Sequence, residues 1–181
     1  RGAGTNNGTA SASSDFWELR VDTGATYPNA TYNDLVRSIF LFDFSSVATT
    51  DTIDAFVESL RGTSKIDNVG GGIAPTYNFY KSTPASNTTI ASADFGQIDF
   101  ASPIATGVTH ANVSTTAYTD WTFTAAGRTH VETAIDSVSG IVKTGFADAT
   151  YDAANSEPNV TTSNNQETGV IGDYADTAGT G

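Results

Sequence analysis

RSIFLFDFSSV, residues 37–47, is the stretch on which the fold turns. In an extended chain successive side chains alternate faces, so Ile39 and Leu41 point one way and Phe40, Phe42 and Phe44 the other. Such a strand is apolar on both faces and has no solvent side. The pattern predicts that it runs through the middle of a sheet covered on both sides.

Further strand signals lie on either side. Phe16 to Val21 alternates, with Trp17, Leu19 and Val21 on one face. Residues 52–62 put Phe56 and Leu60 on one face and Ile53, Ala55 and Val57 on the other. Glu58 falls between Phe56 and Leu60 on what should be the inward face. A strand end or bulge would explain it, and a paired, partly buried carboxylate is the alternative. TYNFYK (76–81), residues 95–100, YTDWTF (118–123), residues 141–147 and residues 170–174 complete the strand set. Trp121 reads as a core residue, with a sugar-stacking platform as the other reading.

The period changes once. In THVETAIDSVS, residues 129–139, Val131, Ala134, Ile135 and Val138 recur at helical spacing. Thr129 with Glu132 reads as a capping box, and Gly140 as the stop. The expected architecture is all-β, an antiparallel, jelly-roll-like β-sandwich with one short α-helix near 129–139. Residues 1–14, RGAGTNNGTASASS, read as a flexible or exchanged arm, and residues 15–181 as one domain. The polar run 148–166 reads as loop, and no strand closes the sandwich after residue 174, which leaves an edge open.

Composition agrees. Thr and Ser make up about a quarter of the 181 residues, with 17 Gly to punctuate strands. The formal net charge of -12 argues against binding nucleic acid or an anionic membrane surface, because an acidic chain repels both. There is no Cys, so neither disulfides nor thiolate metal sites arise, and no apolar run approaches a membrane span. The chain has no Met, so Arg1 is expected to follow a cleavage or to lie inside a longer polypeptide.

No catalytic constellation is visible. His110 and His130 have no serine elbow and no metal-spaced partner. Gly70, Gly71 and Gly72 lack the Lys-Ser/Thr and the helix that a phosphate loop requires. Asp148 with Asp152, and Asp173 with Asp176, are the candidate oxygen ligands for calcium, with solvated loop acids as the plainer reading. Asn7, Asn29, Asn87, Asn112 and Asn159 each begin an N-x-Ser/Thr sequon and are the glycosylation candidates. Tyr27, Tyr32, Tyr77, Tyr80 and Tyr151 are the candidate stacking platforms for a glycan.

RSIFLFDFSSV, TIDAFVESLRGTSK, NFYKSTPASNTTIASADFGQI and TDWTFTAAGRTHVETAIDSVSGIVKTGFA together resemble one recurring module. It is similar to the disaggregatase-related (DNRLRE-type) β-sandwich, in the divergent form of phage and environmental sequences. The resemblance runs from Arg37 to Phe146 and continues loosely to Tyr174. It implies the sandwich fold and brings no catalytic residues. The module's opening strand and its Pro-bearing closing strand are absent here, and Glu58 stands where a small aliphatic residue is usual. The implied fragment lacks its first and last strands.

The resemblance implies a place outside the cell. The expected function is a non-enzymatic structural protein of an extracellular or virion surface, such as a phage decoration or fibre component. Its partners would be copies of itself or other structural proteins, joined by strand donation through residues 1–14 or 173–181. The alternatives are a carbohydrate-binding or adhesion module, or a subunit of an extracellular filament. No cofactor is expected, calcium being the one candidate.

Overall fold

In the computed structural model the described residues are 16–23, 32–48, 50, 52–68, 75–156 and 167–173. They form an all-β sandwich of two antiparallel sheets with one short helix. The strands are β1 (Phe16–Thr23), β2 (Tyr32–Val36), β3 (Ser38–Asp43), β4 (Val57–Asn68), β5 (Thr76–Ser82), β6 (Ile98–Pro103), β7 (Val108–Thr109), β8 (Thr119–Thr122), β9 (Ile141–Asp148) and β10 (Glu167–Asp173). One sheet has the order β2-β1-β10-β4-β8; the other has β3-β9-β5-β6, with β7 added beside β5.

The RSIFLFDF strand is β3, and it stands at the end of its sheet's order, hydrogen-bonded to β9 with Ser38 opposite Phe146 and Asp43 opposite Ile141. The central strands are β5 and β9, where buried residues run consecutively from Tyr77 to Tyr80 and from Thr144 to Asp148. Apolarity on both faces of β3 has another cause. Phe40 enters the core between the sheets, while Ile39 packs on a second cluster with Tyr80, Ile98, Ala147 and Phe100 on the opposite side. Period-two patterning reports which faces are covered, and it is silent on which strand lies beside which.

β4 begins later than its alternation suggests and runs on through polar residues to Asn68, because those residues pair with β10. Before β4, the Ile53 N–H donates to the Glu132 carboxylate (2.9 Å), so this stretch leaves the ladder while Ile53 and Phe56 still pack on the core. β10 lies between β1 and β4 rather than at an edge. Tyr174 and the residues after it, the Gly70–Gly72 run, and the side chains of Trp17, Leu19 and Val21 lie outside the described set.

The helix, α1 (Ala125–Ile135), starts earlier than its apolar spacing predicts. Thr124, not Thr129, is the cap: its hydroxyl accepts from the Gly127 N–H at 3.2 Å. Val131 and Ile135 enter the core, whereas Val138 lies past the helix end and is exposed. Gly140 then turns the chain at φ +61°, with its carbonyl accepting from the Phe44 N–H at 2.9 Å.

Residues 104–106 join the two sheets. The Ile104 N–H donates to Phe79 on β5 (2.8 Å), the Thr106 N–H donates to Thr122 on β8 (2.8 Å), and Ile104 accepts from the Thr124 N–H (2.9 Å). Trp121, fully buried, reaches from β8 across the interior and donates its indole N–H to the Tyr77 carbonyl at 3.1 Å. It sits edge-on to Phe79 and Phe146, with ring centroids 5.9 and 5.0 Å away. Trp121 is therefore a core residue.

Candidate functional site

A buried polar cluster lies where the chain passes from β2 to β3 and so from one sheet to the other. Arg37 is the single residue between the two strands. Its Nε and Nη2 donate to the two carboxylate oxygens of Asp152, each at 2.6 Å, and its Nη1 donates to the Phe95 carbonyl at 2.8 Å. The guanidinium carbon lies 3.9 Å from the centre of the Phe95 ring and 5.0 Å from that of Phe100. The two side chains are 8% and 3% exposed, so this is a buried, bidentate pair.

Asp152 is presented by a single wide turn, Ala149–Ala153, which follows β9 directly. The polarity of 148–166 suggests a solvated loop, but Asp148 and Asp152 are both buried. Asp148 caps the wide turn: its Oδ1 accepts from the Thr150 N–H (2.7 Å) and the Tyr151 N–H (3.0 Å). Its Oδ2 is buried without a hydrogen-bond partner among the described residues. Burial pushes the Asp148 carboxyl up to about 7; the two N–H donors oppose this, and the neighbouring negative charge of Asp152 adds to it. The Thr150 hydroxyl accepts from the Thr76 N–H (2.9 Å), fastening the turn to the start of β5.

Asp152 directs both oxygens at Arg37, and Asp148 directs one at the turn backbone. Among the described residues no three His, Asp or Glu side chains converge as a metal-binding group. The Asp173 side chain and the whole of Asp176 lie outside the described set.

Other titratable side chains among the described residues lie outside this cluster. The Tyr77 hydroxyl and His110 Nδ1 lie 2.7 Å apart in a buried pair. His130 is in the second turn of α1, and its Nε2 donates to the Lys143 carbonyl at 3.0 Å. Burial lowers its pKa, against that hydrogen bond. Glu58 faces inward opposite Trp121, and burial pushes its carboxyl up to about 7.

Of the proposed glycan platforms, Tyr77 and Tyr80 are 2% and 3% exposed and belong to the core. Tyr151 is half-buried in the wide turn, Tyr32 has only its backbone described, and Tyr27 lies outside the described residues. Tyr118, which the sequence reading passed over, is 55% exposed. Its phase relative to Trp121 was the available signal, since positions 118 and 121 fall on opposite faces of an extended strand. Asn87 and Asn112 are exposed, while Asn7, Asn29 and Asn159 lie outside the described residues. The cluster that pairs Arg37 with Asp152 was equally unannounced, because its members are 115 positions apart in sequence.

No helix of the described residues is long and apolar enough to cross a membrane. Compared with known proteins, the chain matches no family model, no curated protein and no solved structure.

Proposed function

We propose that this chain is a non-enzymatic structural component of an extracellular or virion surface, built on a module of the disaggregatase-related type. The observation that carries the reading is the use made of the interior polar groups. Arg37, Asp152, the Asp148 Oδ1 and the Trp121 indole are each engaged in holding strands and turns together. A fold whose charged groups serve its own corners suits a building block. Its partners are further copies or other structural proteins, joined at the ends of the sheets, where backbone groups accept an added strand.

Light scattering on residues 1–181 over a range of concentrations tests this reading. A defined oligomer, or mass growing with concentration, is expected, and removal of residues 1–14 and 174–181 together should abolish it. A discrete monomer at all concentrations would overturn the proposal.

A second reading, a carbohydrate-binding module, rests on exposed Tyr118 as a stacking surface. Retention of a monomer on a polysaccharide column, lost in Tyr118→Ala, would establish it instead.

A further inference from the structure

We propose that Asp148, the wide turn it caps and the Arg37–Asp152 clamp form a proton-operated latch on the corner where the chain crosses between the two sheets. The latch stands independently of the structural-protein reading above. With Asp148 neutral, one oxygen caps the turn and no charge is buried on the other. The turn then presents Asp152 to Arg37, and Arg37 in turn holds the Phe95 carbonyl. Loss of the proton places a second carboxylate charge beside Asp152, on a buried oxygen that has no hydrogen-bond donor among the described residues. Opening the turn hydrates that charge, so deprotonation favours the open form.

Among the described residues the groups around Asp148 offer no cation in compensation; the side chains of β1, which also packs on β9, lie outside that set. The wide turn contributes Asp152, whose charge Arg37 already answers. β5 contributes Tyr77, the strand partner of Asp148, whose hydroxyl meets His110. On β9 itself Lys143 sends its ammonium to the Pro84 carbonyl at 2.8 Å. Lys81, at the far end of β5, is exposed. In the short turn Ser92–Gly96 the Asp94 carboxylate accepts the Ala85 and Ala91 N–H groups (3.2 and 2.8 Å). Among the described residues the corner thus holds one tightly bound arginine, and Asp148 is the group whose charge is left unanswered.

The direction follows from linkage. The folded carboxyl lies at about 7 against 3.8 for the ordinary group, so closing the turn takes up a proton between those values. The latch is firm below the lower value, weakens as pH rises towards the upper one, and is level above it.

Amide hydrogen exchange at Thr150 and Tyr151, corrected for intrinsic rates, reads the opening directly. It is measured from pH 4.5 to 7.5 on the full chain carrying Glu58→Gln, which removes the other raised carboxyl, and on the same chain with Asp148→Asn added. In the first, opening should increase about tenfold per pH unit until it levels near neutrality. In the second, which keeps the capping oxygen, it should be flat. Equal pH dependence in the two chains overturns the latch. If the Asp148→Asn chain does not fold, an NMR titration of the Asp148 carboxyl carbon replaces it, with the Arg37 Nε–H followed alongside. A shared transition supports the latch, and an Arg37 signal unchanged across the Asp148 titration overturns it.

Discussion

Two polar side chains on covered strand faces differ in how far a local pattern marks them. Glu58 occupies an inward position legible from alternation with Phe56 and Leu60, and it is indeed a half-buried carboxyl opposite Trp121. Burial lifts it to about 7 from 4.5, so folding binds a proton between those values. Its stabilising contribution is complete below pH 4.5 and is lost as pH rises towards 7. Glu58→Gln should therefore flatten the pH dependence of urea unfolding and stabilise the protein at pH 8, by a few kcal/mol at most. An unchanged profile would show that the carboxyl is hydrated. Thr144 is the neutral counterpart: it is fully buried on β9, and its hydroxyl has no partner among the described residues. Thr144→Val keeps the shape and removes the orphaned hydroxyl, so it should raise stability by about 1 kcal/mol in the same assay. No sequence pattern marks Thr144 as buried, since Thr suits either face of a strand.

At the level of elements, the helix was legible as a helix and misplaced by about one turn. Apolar spacing located Val131 and Ile135, but the start was decided by which threonine hydroxyl meets an orphan N–H, and that is Thr124. The helix sits where it does because Gly127 lies directly against the Ile104 carbonyl, in the segment that joins the two sheets. A methyl group there would collide with backbone that cannot rotate away. Gly127→Ala, favourable by helix propensity, should instead destabilise by about 1–3 kcal/mol in thermal or urea unfolding. A stabilised variant would mean that the helix can move off Ile104. β3 carries the complementary lesson. Its apolar faces were read correctly, while its central place was not, because Ile39 is covered by a second small cluster on the face of its own sheet that points away from the main core.

At the level of the whole molecule, Phe79 is the junction of the aromatic core. Its ring stacks on Phe146 at 4.6 Å and meets Phe40, Trp121 and Phe123 at 5.9, 5.9 and 5.7 Å. Those neighbours come from both sheets and from the segment leading into α1. Phe79→Ala should cost about 3–5 kcal/mol, and near- and far-ultraviolet circular dichroism should still report one coincident transition. Separate transitions would mean that the sheets unfold independently. From the sequence alone came the fold class, most of the strands, the single helix and the membership of Trp121 in the core. These follow from side-chain periodicity, a local property set by backbone geometry. Only the tertiary structure decided that β10 lies inside its sheet, that β3 ends its own, and that Arg37 meets Asp152 at a buried corner beside Asp148. Strand order and polar pairing depend on contacts between distant positions, where polar residues such as Asp148 and Asp152 look, in sequence, like any solvated loop.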